Sequence, residues 1–170
     1  MKSTKQLVFT SLMAAAAVVV MVVAAFAPTM SLSLAVIAGL FVAAAFLECG
    51  RSHAFLCYLT AAILGLLLVP DRSVALMFTL LFGLYPIFKS IAESMRTVVG
   101  EYVLKFAFCN VMLVALYFLL KAFATLPKLP DVPYVYPLSL LVLNIVFFIY
   151  DLGFSKLVSL YRYYRLRGKK

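Results

Sequence analysis

From Leu7 to Leu47 the chain carries no charged side chain, and its only polar side chains there are hydroxyls. At 1.5 Å rise per residue, one helix over that stretch would reach about 60 Å, twice the hydrocarbon thickness of a bilayer. The chain must therefore turn back within it, and Pro28-Thr29-Met30-Ser31 is where turn-forming residues gather. The alternation of long apolar run and short polar break then continues. It predicts spans over residues 7–27, 31–47, 54–69, 73–88, 103–125 and 136–160. The breaks are Glu48-Cys49-Gly50-Arg51-Ser52-His53, Pro70-Asp71-Arg72, a charged stretch from Lys89 to Glu101, and a proline-rich loop from Pro127 to Pro137. The expected fold is all-α: a polytopic membrane protein, a compact bundle of about six transmembrane helices forming one domain over residues 1–160. Residues 161–170 form a basic tail. Spans three and four are the shortest, and a re-entrant hairpin is an alternative for that pair.

Within the charged stretch, Ile91, Met95, Val98 and Tyr102 fall on one helical stripe, with Lys89, Glu93, Arg96 and Gly100 opposite. Lys89–Glu93 and Glu101–Lys105 are i,i+4 pairs. This pattern predicts an amphipathic helix over 89–105, lying on the membrane surface or on a partner. At the start of the chain, Lys2, Lys5, an apolar run and Ala25-Phe26-Ala27 resemble a signal peptide. The run is long for a signal core and Pro28 follows the would-be cut, so a retained first span is expected.

Composition agrees with the pattern. The chain has 170 residues, 66% hydrophobic and 12% charged, with a mean hydropathy of +1.13. Aqueous domains are near half apolar and a quarter charged. Six spans of about 20 residues consume roughly 120, which leaves no room for a soluble catalytic or nucleotide-binding domain. The net charge of +9 has a topological cause. With six spans, only Arg72, Lys121 and Lys128 of the fifteen basic residues fall on one side; the others, from Lys2 and Arg51 to Lys170, share the opposite side. By the positive-inside rule that side, with both termini, is cytoplasmic. A bacterial plasma membrane is the expected location and the lipid bilayer the first partner. Nucleic acid is not expected. The tail from Tyr161 to Lys170 reads as a basic, aromatic anchor at the membrane surface.

Candidate chemistry is sparse. Ala35, Gly39 and Ala43 on span two, and Ala61 with Gly65 on span three, form small-residue faces that let helix backbones approach closely. Span one adds the run Ala14, Ala15, Ala16 and Ala17, which suits internal packing and docking of another membrane subunit equally. Glu48, Arg51, Tyr85, Lys89, Asn110, Asp151 and Lys156 all belong to the cytoplasmic half. A charge at such depth needs a partner or water, so these residues are expected to form a buried polar cluster. The cluster is read as an ion-paired structural lock, or else as a proton or ion route or a catalytic pair. Toward the outer face, Arg72, Tyr134, Tyr136 and Asn144 are candidates for a shallow solute pocket. Cys49, His53 and Cys57 are spaced by four, but Gly50 interrupts the helix and a fourth ligand is lacking, so no metal site is assigned. No glycine-rich phosphate loop and no hydrolase serine signature occurs, and neither a cofactor nor enzymatic activity is expected.

A chain of this length, with six tightly connected spans, both termini inside and the alanine run Ala14–Ala17 in its first span, resembles the S components of energy-coupling factor transporters. The resemblance implies a small subunit that binds a small-molecule nutrient from the outer face. It also implies association with a transmembrane coupling subunit and ATPases, through small residues of the first span at the positions of Ala14 to Ala17. The alternative is a non-transporting membrane scaffold or cell-envelope assembly subunit with a similar bundle, because architecture alone does not fix function.

Overall fold

The computed structural model describes residues 2–95, 97–123 and 135–167, and the side chains of 4–95, 97–123, 141–161 and 163. Among them there is no strand, and six helical segments are long and apolar enough to cross a membrane. The fold is that of a multi-pass membrane protein. The helices are α1 (Lys2–Phe26), α2 (Ser31–Cys49), α3 (Arg51–Leu68), α4 (Arg72–Met77), α5 (Tyr85–Ala92), α6 (Val98–Ala122) and α7 (Val135–Arg167). A π-helical turn, Phe78–Phe82, follows α4, so that α4, the turn and α5 together make the fourth span. The chain divides into two compact units, residues 1–126 with α1 to α6 and residues 127–170 with α7.

Small side chains build the first three helices into a block. The buried positions of α1 include Thr10, Ala14, Ala17, Met21 and Ala24, alternating steps of four and three as in a coiled-coil seam. α1 packs on α2, whose buried residues include Ala35, Ala38, Val42 and Ala45, and on α3, whose buried residues include Ala54, Cys57, Ala61 and Gly65. With no hydrophobic force to draw helices together in lipid, dispersion contacts between closely approaching backbones must hold them, and only small residues allow that approach. The other side of α1 carries Leu7, Val8, Leu12, Val19, Val23 and Phe26, all exposed. Large aliphatic and aromatic groups there suit contact with lipid tails.

The fourth span is the most buried of the six. It meets α2 at Gly39, where an added Cβ would lie 2.6 Å from the Phe82 carbonyl oxygen. On its other side, Leu76 packs with Leu116 and Leu120 of α6, and Leu66, Leu80 and Leu81 close around them. In the second unit α7 runs for 33 residues, with a run of neighbouring rings at Phe147, Tyr150 and Phe154.

Several boundaries differ from those the hydropathy pattern predicts. The polar break after span two is one residue, Gly50, whose φ of 88° lies in the left-handed region that glycine adopts without penalty. Glu48, Cys49, Arg51, Ser52 and His53 instead complete the ends of α2 and α3. That lengthens both helices, to 19 and 18 residues, and α3 and the 21-residue fourth span, Arg72–Ala92, are each long enough to cross alone. The expected surface helix over 89–105 does not form. α5 stops at Ala92, a break follows, and α6 begins at Val98. Lys89, placed by the amphipathic reading on the polar face, is buried, and so is Lys105. The physical reason is that each lies against the carboxylate four residues away in sequence, Lys89 against Glu93 and Lys105 against Glu101, and the break adds a 3.8 Å approach of Lys105 to Glu93. α7 continues to Arg167, so most of the basic tail prolongs a membrane helix.

Candidate functional site: an ion-paired end of the bundle

One end of the first unit gathers the charges. There α2 ends, α3 begins, α5 ends and α6 begins. The α1 start is near as well, since the Cys49 thiol lies 3.8 Å from the Gln6 carbonyl oxygen. Lys89, on the last turn of α5, is 2.9 Å from Glu93. Lys105, two turns into α6, is 2.6 Å from Glu101 on its own helix and 3.8 Å from Glu93 across the break. The two lysine side chains are 5% and 4% exposed, against 47% for Glu93 and 23% for Glu101. Two ammonium groups and two carboxylates balance, so the burial of the lysines is compensated.

Aromatic rings floor this site. Lys89 lies 5.8 Å from the Tyr85 ring centroid, and Lys105 lies 5.6 Å from that of Tyr102. Beneath them Phe88 stacks on Phe108 at 4.1 Å, with Tyr85 6.3 Å from the same Phe108 ring. Cation–π attraction and ring stacking add directional preference to the ion pairs. The arrangement ties α5 to α6 across a short break. Each charged group has an opposite charge within 4 Å, which makes it a clamp in form.

Of the residues expected to cluster, Tyr85 and Lys89 lie in this site. Arg51 stands nearby with its guanidinium 3.5 Å from the Ser90 carbonyl oxygen, a long contact at the exposed rim. Glu48 is in the last turn of α2, and the Asn110 amide donates to the Phe106 carbonyl of its own helix at 2.8 Å. Asp151 and Lys156 belong to α7 in the second unit, where the Asp151 carbonyl accepts from the Ser155 hydroxyl at 2.8 Å. Glu93, Glu101 and Lys105 were not expected in the cluster. Their i,i+4 spacings were visible in the sequence, but a surface helix would have left them solvated.

The opposite end is differently organised. Arg72, expected to line a solute pocket, donates to the Leu66 carbonyl at 2.6 Å, and Asp71 caps α4 by accepting from the Ser73 amide at 2.8 Å. Ser31 donates to the Pro28 carbonyl. Tyr134 lies outside the described residues, as does the side chain of Tyr136, and Asn144 sits on α7. Of the four pocket candidates, Arg72 alone belongs to the first unit; the other three belong to the second. The alanine run divides by face: Ala14 and Ala17 are buried in the three-helix block, Ala16 is half-buried and Ala15 is exposed. Cys49 ends α2 while His53 and Cys57 belong to α3, and among the described residues no three His, Cys, Asp or Glu groups come together as metal ligands.

Comparison with protein-family models, with curated proteins and with solved structures gives no match.

Proposed function

We propose that the chain is a membrane assembly subunit, a small scaffold that holds a companion membrane protein rather than a solute. The observation that carries this reading is the uneven distribution of its polar groups. Arg72, Asp71 and Ser31, at the end away from the clamp, each bond to nearby backbone. Capture of a solute would need convergent polar groups around a concavity. The charged groups that do converge lie at the opposite end, which the distribution of basic residues assigns to the cytoplasm. An S-component-like role is the second reading, favoured by the six membrane-length helices and by Ala15, a small residue on the outward side of α1.

The test is affinity purification in mild detergent, with identification of co-purifying proteins and native mass spectrometry for small molecules. A membrane protein companion without ATPases or retained solute is the expected result. A retained nutrient, or a coupling subunit with ATPases, overturns the scaffold reading in favour of transport. Ala15→Leu and Ala17→Leu locate the contact. Ala17 is fully buried, so bulk there should make the isolated subunit aggregate by overpacking. Ala15→Leu should leave it monodisperse, and loss of the companion in that variant assigns α1 as the docking helix.

A further inference from the structure

We propose that the π-helical turn in the fourth span is a register switch, held in its present state by the hydroxyl of Tyr58, that sets which face of α5 meets α6. The argument begins with one hydrogen bond. In an α-helix the Gly83 amide would donate to the Thr79 carbonyl, four residues back. It donates instead to the Phe78 carbonyl, five back, at 2.7 Å. The Thr79 carbonyl has lost its place in the ladder, and the Tyr58 hydroxyl of α3 donates to it at 2.9 Å. Within a bilayer a carbonyl released from the ladder must find another donor. The π turn is thus stable where it is because a neighbouring helix completes it.

A second irregularity lies one step further on. Pro86, in the first turn of α5, has no amide hydrogen to offer the Phe82 carbonyl. That carbonyl faces the bare Cα of Gly39 on α2. Gly83 likewise has no room for a side chain, since an added Cβ would lie 2.9 Å from both the Phe78 carbonyl oxygen and the Tyr58 ring. Three features, the Tyr58 bond and the two glycines, fit the π state specifically. Return to α register would exchange one hydrogen bond for another: Gly83 would donate to Thr79, and Tyr58 would be released.

Such an exchange has a large geometric consequence. A π turn absorbs one surplus residue, and passing that residue into the α ladder turns the following segment by about 100°. The following segment is α5, which carries Tyr85 and Lys89 into the clamp. A turn of that size would carry Lys89 away from the α6 side and open the 3.8 Å approach of Lys105 to Glu93. Tyr58 in the middle of the bundle and the ion pairs at its end are thereby two readouts of one bistable element, as coupling between distant sites requires.

The experiment uses the full chain in lipid nanodiscs, with Cys49, Cys57 and Cys109 replaced by alanine. Spin labels are placed at Ile91→Cys and Val103→Cys, both exposed, and their separation is measured by pulsed electron resonance. One distance is expected with Tyr58 present. Tyr58→Phe should raise the population of a second distance about five- to tenfold, the worth of one hydrogen bond. Deleting Leu81 in the same background should restore the first distance, because a chain one residue shorter completes the α ladder without turning α5. An unchanged distribution in Tyr58→Phe overturns the proposal, and so does displacement of the first distance by the deletion alone. If Tyr58→Phe does not fold, Gly83→Ala decides. It crowds the π state directly, so it should populate the second distance, and a single unchanged distance in that variant refutes the switch.

Discussion

Replacing Gly39 by alanine tests the tightest helix crossing in the molecule. The new Cβ would lie 2.6 Å from the Phe82 carbonyl oxygen, 3.0 Å from its carbon and 3.1 Å from the Phe82 Cβ. All three atoms are backbone or the root of a side chain, so no flexible end can swing aside. Ordinary contact then requires α2 and the π turn to separate by about 0.8 Å in a densely packed interior. Overpacking of this kind costs about 1–3 kcal/mol, and the rigid neighbours put Gly39 near the upper figure. Alanine returns about 1 kcal/mol of helix propensity, for a net loss of about 2 kcal/mol.

Two other glycines serve as internal controls. At Gly65 the added Cβ would meet only the Met21 methyl at 2.8 Å and its sulfur at 3.2 Å. That is the end of a pliable side chain, so propensity and crowding should cancel to about zero. At Gly153 nothing lies within 4 Å, and alanine should stabilise by about 0.5–1 kcal/mol. Thermal unfolding in detergent, followed by a thiol-reactive dye that reports exposure of the buried Cys57 and Cys109, measures all three. Gly39→Ala should lower Tm by roughly 4–8 °C, Gly65→Ala should leave it unchanged, and Gly153→Ala should raise it slightly. If Gly65→Ala proves more damaging than Gly39→Ala, the reasoning from rigid and flexible neighbours fails.

The clamp and the sidedness give two further expectations. Glu101 is 23% exposed and lies 2.6 Å from a lysine that is 4% exposed, so Glu101→Gln should destabilise by about 1–3 kcal/mol. Glu93→Gln, at a carboxylate 47% exposed, should cost about 1 kcal/mol or less after solvent screening; equal unfolding curves for the two variants would remove burial as the deciding factor. Cysteines placed singly at Arg51 and Met95, in a background lacking the native three, should react with an impermeant maleimide from the cytoplasmic side. Those at Pro70 and Lys121 should react from outside, and labelling of Arg51 and Lys121 from the same side would refute the six-span topology.

The spans were legible because lipid imposes one dominant rule, that long apolar segments cross and polar ones do not. The small-residue faces Ala35-Gly39-Ala43 and Ala61-Gly65 were legible for the same reason: close approach has a compositional signature. What the sequence hid follows from ambiguity at helix ends. Glu48, Arg51 and His53 read as a loop because they are polar, yet polar residues complete a helix at an interface as readily as they end one. The stretch from Lys89 to Lys105 has a good amphipathic period, and period alone cannot reveal that Glu93 ends a helix and returns a carboxylate to two lysines. The π turn was hidden more deeply. Its only trace is the spacing of Gly83 and Pro86 behind an apolar run, and the residue that completes it, Tyr58, lies on another span.

These features divide the first unit into parts with different mechanical character. α1, α2 and α3 meet through alanine and glycine at a spacing that leaves little freedom to slide. The fourth span has a π turn at Phe78–Phe82 and a proline in the first turn of α5, so its ladder is interrupted where the other spans are continuous. α6 is joined to it by a leucine cluster toward one end and by the ion pairs at the other. Interrupted helices inside membranes are tolerated where neighbours satisfy the freed carbonyls, and Tyr58 meets that requirement with a single hydroxyl. In the switch proposed above, the register of the fourth span is therefore governed by α3, a helix of the rigid block, through that one bond.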